Sequence, residues 1–331
     1  MSIAISILDL APISKGQTAR ESFEGSVALA RAAEASGYER VWYAEHHNMP
    51  TIASSATSVV IGYVAANTST IRLGAGGIML PNHSPLVIAE QFGTLATLYP
   101  GRIDLGLGRA PGSDQNTMLA LRRDNSSAES FPQDVLELNG YLTGHSRIPG
   151  VQSVPTPDGP VPLYILGSSL FGAQLAAQLG LPYAFASHFA PDALHQAVTV
   201  YRETFRPSAQ LETPYVIAGV NVFAASTSAS AEEQRVRAYR SRTRAFITRG
   251  ARGGNFTDAE IDAFLASPAG AQLSNMTRYT AVGTPDEVRE YLLKFASETG
   301  ADELITAHHA SDLSDRVRSI ELTGAAVRSG A

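Results

Sequence analysis

The chain contains no cysteine, and that absence alone excludes disulfide frameworks, thiolate-bound zinc, iron–sulfur clusters and thiol nucleophiles. An excess of positive charge is missing as well. Lys and Arg number 25 against 31 Asp and Glu, a formal charge of −6, so nothing resembles the clustered cations that displace counterions from a phosphate backbone. Nucleic acid is not an expected partner. No apolar run approaches the ~18 residues of a membrane-spanning helix, and Met1 to Ser6 lack the basic stretch of a secretory signal. The expectation is a cytoplasmic protein with no membrane partner.

What is present is enough hydrophobic material, 44% of 331 residues, to bury a large core as two domains or as one barrel of about 250 residues or more. Short apolar runs alternate with longer helical patterns from the first residues to about residue 325, the signature of βα units on a parallel sheet. Strands are expected at 3–10, 40–44, 71–77, 102–108, 162–166, 182–186, 215–224 and 302–307. Helices are expected at 22–36, 54–66, 85–98, 133–143, 170–179, 194–205 and 313–322, and one opens at Thr284 as N-cap with Pro285 in its first turn. In the first helix Phe23, Val27, Ala30 and Ala33 share a face that Gly37 ends, and Glu34 falls in the last turn, where it can reach water.

Two stretches interrupt the rhythm: 110–161, which ends in a Pro-rich loop over 148–162, and 249–279, read as an insertion. Eight strands alternating with helices favour a closed (β/α)₈ barrel, a TIM barrel with an insertion near the seventh unit, formed by residues 1–331 as one domain. An open dinucleotide-binding fold would need a Gly-rich fingerprint after its first strand, and Asp9-Leu10-Ala11-Pro12 has none. In such a barrel the functional residues belong at the carboxyl ends of the strands.

Polar and glycine-rich clusters fall at those ends. Gly167-Ser168-Ser169 opens a helix after the fifth strand, where free amides and hydroxyls suit a phosphate, although the same residues also make a plain N-cap. Arg109, after the fourth strand and before Pro111-Gly112, offers either a fork of donors for phosphate oxygens or a surface ion pair. Gly76-Gly77 allows a flat ligand to approach the backbone, or is a simple bulge. His46 is cast as an acid/base or hydrogen-bond donor, with a packed structural histidine as the other reading. His46, His47, His188, His308 and His309 could supply metal ligands to a barrel hydrolase, but the spacings His-x-His and His-Glu-x-x-His are absent, so no metal site is assigned.

Four stretches taken together, Val41-Trp42-Tyr43-Ala44-Glu45-His46-His47-Asn48, Leu73 to Pro81, Gly101 to Gly112 and Leu166-Gly167-Ser168-Ser169, resemble the bacterial luciferase-like flavin monooxygenases. The resemblance implies a (β/α)₈ barrel that uses reduced FMN, supplied by a separate flavin reductase, with O₂ to oxygenate a small organic substrate. By position in the matched stretches, His46 corresponds to the active-site histidine and Gly76-Gly77 to a pair whose peptide is often cis beside the flavin ring. Arg109 with Gly167, Ser168 and Ser169 corresponds to the phosphate holders. The resemblance further implies a homodimer that pairs through helices near the second and third units. Gly108 stands where some luciferases carry a reactive cysteine, so light emission is not implied. The alternatives are a relative using the deazaflavin F420 for hydride transfer and a flavin-binding protein without catalysis.

Overall fold

The computed structural model describes residues 3–110, 114–250 and 256–328. Its nine strands are β1 (Ala4–Asp9), β2 (Arg40–Tyr43), β3 (Arg72–Met79), β4 (Ile103–Gly108), β5 (Leu163–Gly167), β6 (Tyr183–Phe185), β7 (Val216–Ala224), β8 (Thr280–Gly283) and β9 (Glu303–His308). All the pairings between them are parallel. β1 to β6 neighbour one another in chain order, β6 pairs with β7, β7 with β9, and β9 with β1. These eight close the barrel expected from the alternation, and helices cover its outside.

The eighth expected strand is therefore β9, and β8 is an addition. β6 spans only three residues and meets β7 at Val216 to Ala218. The upper part of β7, Asn221 to Ala224, would be left with open peptide groups, and β8 pairs with it there. Helix Ser228–Gly250, also unforeseen, precedes the segment read as an insertion. That segment contains helices Asp258–Leu265 and Pro268–Met276, and 251–255 lie outside the described residues. The expected start at Thr284 is realised as a capping box, its hydroxyl accepting from Glu287 N–H while the Glu287 carboxylate returns to the Thr284 amide. Glu34 stays partly exposed in the last turn, and its Oε1 accepts the backbone N–H groups of Ser69 (2.9 Å), Thr70 (2.5 Å) and Ile71 (3.0 Å), tying the first helix to the entry of β3.

Side chains alternate across each strand, so the barrel interior is built in layers. At the floor Arg40 donates to Asp104 (2.8 Å), to Glu303 (3.0 and 3.1 Å) and to the Tyr164 hydroxyl (2.7 Å). Arg72 also pairs with Asp104, and Ser6 and Tyr215 donate to Glu303. Above this lies an apolar layer of Trp42, Tyr164, Ala184, Ile217 and Ile305. The larger apolar core lies between the outer faces of the strands and the helices. No helix among the described residues is long and apolar enough to cross a membrane.

Candidate active site

The carboxyl ends of the strands form a mouth, and the residues singled out in the sequence meet there. β4 and β5 run side by side with Gly108 opposite Leu166, so Arg109 emerges next to Gly167. Its guanidinium lies 4.1 Å over the ring of Phe171, in the first turn of the helix that Ser169 opens. Stacking of this kind orients the planar cation without using its N–H donors. Arg109 has no ion pair among the described residues. Pro111-Gly112, read as flanking it, lie outside the described residues.

Ser169 is the N-cap residue of helix Leu170–Leu179, but its side chain makes no capping bond. The plain N-cap is thus not realised. Ser168 and Ser169 are both exposed, and the open amides of the helix start face the same way as any anion arriving at that end. A guanidinium, two hydroxyls and a helix N-terminus come together on one rim.

Around the rim, the Gly76–Gly77 peptide is cis, and the pairing of β3 with β4 slips between Ala75 and Ile78. The bulge read for this pair is thus present. A Cβ on Gly76 would meet Trp42 Cβ at 2.8 Å, and one on Gly77 would meet the Gly106 carbonyl oxygen at 2.7 Å. Only glycine fits, and the mouth beside β3 keeps a bare backbone surface suited to a flat aromatic ring.

His46 follows β2, with Nδ1 3.3 Å from the Ala44 carbonyl oxygen. When that nitrogen donates, Nε2 carries the lone pair. Burial depresses its pKa below the ordinary value, outweighing the opposite pull of the Ala44 carbonyl and Glu45, so the ring is neutral near pH 7. Beside it is a contact that sequence reasoning missed. Glu45, 1% exposed, joins His47 Nε2 (2.6 Å) and His83 Nε2 (2.7 Å) through Oε1 and accepts the Met79 N–H through Oε2 (2.9 Å). Burial opposes ionisation of Glu45, yet the bonds from His47, His83 and Met79 outweigh it and hold its pKa down. These ligand atoms lie within 4.8 Å of one another, and their hydrogen bonds form a clamp that ties the segment after Gly76-Gly77 to Glu45 and His47. His83 sits 38 positions from Glu45, and no local pattern announces the pairing. His308 ends β9, His188 and His309 follow β6 and β9, and none of the three joins this group.

The closed (β/α)₈ barrel, with its mouth at the carboxyl ends of the strands, gives the fold class. Its family follows from comparison with known sequences. The luciferase-like monooxygenase family matches residues 3–303, and the chain belongs to it. It is similar to a luciferase-like monooxygenase of Escherichia coli, 52% identical over 97% of this chain and 96% of that protein. It is also similar to an N-acetyl-S-alkylcysteine monooxygenase of Bacillus subtilis, 37% identical over 70% of each. Among solved structures, apo-MsnO8 superposes with a TM-score of 0.87 at 37% identity, over 98% of both chains. Two further structures share the fold at under 25% identity. One is the FMN-bound oxygenating component of 3,6-diketocamphane monooxygenase from Pseudomonas putida, with TM-score 0.72 and 18% identity over 98% and 97% of the chains. The other is an F420-dependent secondary alcohol dehydrogenase, with TM-score 0.72 and 15% identity over 99% and 100%.

Proposed function

We propose that the protein is a two-component flavin-dependent monooxygenase that uses reduced FMN and O₂ to oxygenate a small organic substrate. The observation that carries this reading is the Arg109–Phe171 stack, which presents uncommitted guanidinium donors beside Ser168, Ser169 and an open helix N-terminus. The residues fit the cofactor: a phosphate would take those donors, and the ring would lie on the backbone at Gly76-Gly77, where any Cβ would collide with its surroundings. FMN when bound supplies the electrons and the activation of O₂. The chain's own part is to bind and orient, to keep water out, and to manage one proton. His46 handles that proton. Its neutral ring holds a lone pair at Nε2, while the Ala44 carbonyl fixes the tautomer and the Glu45 clamp fixes the adjoining loop.

A partner reductase belongs to this reading, since the flavin must arrive already reduced before it meets O₂. Homodimerisation is supported by Val59, Tyr63, Val87 and Leu98, large apolar side chains left exposed on helices Thr57–Ala65 and Pro85–Leu98. The test is anaerobic titration with reduced FMN and with reduced F420, followed by oxygen uptake on aldehydes, ketones and polycyclic aromatics. FMN should bind and support uptake. Binding of F420 alone, or of neither, would overturn the proposal. His46→Ala should slow oxygenation more than it weakens FMN binding, and equal turnover would remove His46 from the chemistry.

A further inference from the structure

A second uncommitted cation stands on the helix that follows β7. Helix Ser228–Gly250 is rich in arginine, and its members at 235, 237, 240 and 244 all face carboxylates. Arg235 pairs with Glu232 (2.5 Å), Arg237 with Glu233 (2.9 Å) and Asp312 (3.2 Å), Arg240 with Asp262 (2.6 Å), and Arg244 with Asp258 (2.5 Å). Arg242 differs. Among the described residues its side chain has neither a hydrogen bond nor an ion pair, and the titratable group noted beside it is the phenol of Tyr239. It is exposed to solvent, yet the protein around it crowds it enough to push its pKa down. A side chain reached by water but flanked by protein stands in a concavity, and Arg242 lines a cleft with Tyr239, Leu273 and Thr277.

The surroundings leave that charge uncompensated. His188 and His309 lie within its field, and burial first, then Arg242, depress both to about 3, so they remain neutral imidazoles. Alternation from Glu303, which faces the floor network, through Ile305 in the apolar layer directs position 309 inward. The ring of His188 packs against Gly219 on the interior of β7, Asn221 holds the His188 carbonyl (2.8 Å), and His188 Nδ1 is buried without a hydrogen-bond partner. Asp9 and Asp312 act on Arg316.

We propose that Arg242, with His188 and His309 beside it, receives a carboxylate of the organic substrate. One cation and two neutral imidazoles balance about one negative charge, and a guanidinium fork matches the two oxygens of a carboxylate. β4 and β9 lie on opposite sides of the eight-stranded ring, so a ring system held between the two rims would have its phosphate at one and the substrate's anion at the other. The assignment rests on reading the mouth as a flavin site.

The test is a ligand-observed NMR titration with 4-phenylbutyrate and its uncharged isostere 4-phenylbutanamide, with saturating FMN present to occupy the Arg109 rim. Wild type should bind the carboxylate at least about tenfold more tightly than the amide. Arg242→Gln should reduce that ratio to near one, and Arg242→Lys, which keeps the charge, should retain a preference. Equal affinities in wild type, no carboxylate binding up to about 10 mM, or a preference that survives Arg242→Gln would overturn the proposal. A parallel FMN titration separates this idea from the one beneath it. If FMN fails to bind, the two ligands are titrated without it on wild type, Arg242→Gln and Arg109→Gln. A preference that disappears only with Arg242 then upholds the anion subsite while the flavin reading falls.

Discussion

The floor and the mouth of this barrel are both furnished with arginine, and they treat it in opposite ways. At the floor Arg40 and Arg72 are held by Asp104 and Glu303, with Tyr164, Tyr215, Ser6 and Trp42 completing the hydrogen bonds. Two cations meet two anions inside an apolar enclosure, and every group is satisfied. At the mouth Arg109 lies on an aromatic ring and Arg242 in a cleft, each without a carboxylate among the described residues. A charge already paired can only stabilise. A charge left unpaired at a concave rim is ready for a ligand, and the contrast separates the part of the barrel that holds the fold from the part that acts.

The largest effect that tests this contrast is at the floor. Arg40→Met leaves the interior Glu303 without a cation and Asp104 with Arg72 alone, and should cost about 3 to 5 kcal/mol in urea unfolding. Arg109→Ala and Arg242→Gln should each change stability by no more than about 0.5 kcal/mol in the same assay. A comparable loss at the mouth would erase the distinction. Gly77→Ala comes next: its Cβ would press on the Gly106 carbonyl oxygen at 2.7 Å, a backbone atom that cannot move aside, so a loss of about 1 to 3 kcal/mol is expected. A neutral effect would mean that the mouth is softer than its packing implies.

The smallest effects are in pH dependence. Glu34 is depressed to about 2, since the amides of Thr70, Ile71 and Ser69 outweigh the cost of its burial. A lowered carboxylate pKa contributes stability that is complete above the ordinary value of 4.5 and fades as pH falls toward 2. Glu34→Gln should flatten acid unfolding in that window. His47 runs the other way: its bond to Glu45 raises its pKa above 6.5, so its contribution is complete below 6.5 and is lost as pH rises through the raised value. His47→Gln should remove a decline in thermal midpoint on the alkaline side. A midpoint profile identical to wild type would show that the clamp is not charged.

The barrel was legible in the sequence because apolar runs flanked by helical patterns repeat wherever a buried parallel strand must be covered. Residues at strand ends, such as Gly76-Gly77 and Gly167-Ser168-Ser169, were legible because position in the chain already gives position on the mouth. β8 was not, since Thr280 to Gly283 is too short to show a period, and it forms only because β6 leaves part of β7 unpaired. Helix Ser228–Gly250 escaped for a different reason: its surface is held by ion pairs to Asp258, Asp262 and Asp312, partners that tertiary structure supplies. The Glu34 contacts with the turn before β3 and the Glu45 clamp with His83 are likewise long-range. Arg242 stands out only once its neighbours' partners are known, because an unpaired arginine looks like any other in a sequence.

The central claim is that the rim at Arg109 is made for the phosphate of a flavin, and comparing reduced FMN with reduced riboflavin tests it most directly. Anaerobic titration of wild type should show FMN bound more tightly than riboflavin by about 1.5 to 3 kcal/mol, and Arg109→Ala should remove most of that difference while leaving riboflavin affinity unchanged. Equal affinity of wild type for the two flavins, or a difference untouched by Arg109→Ala, would contradict the account.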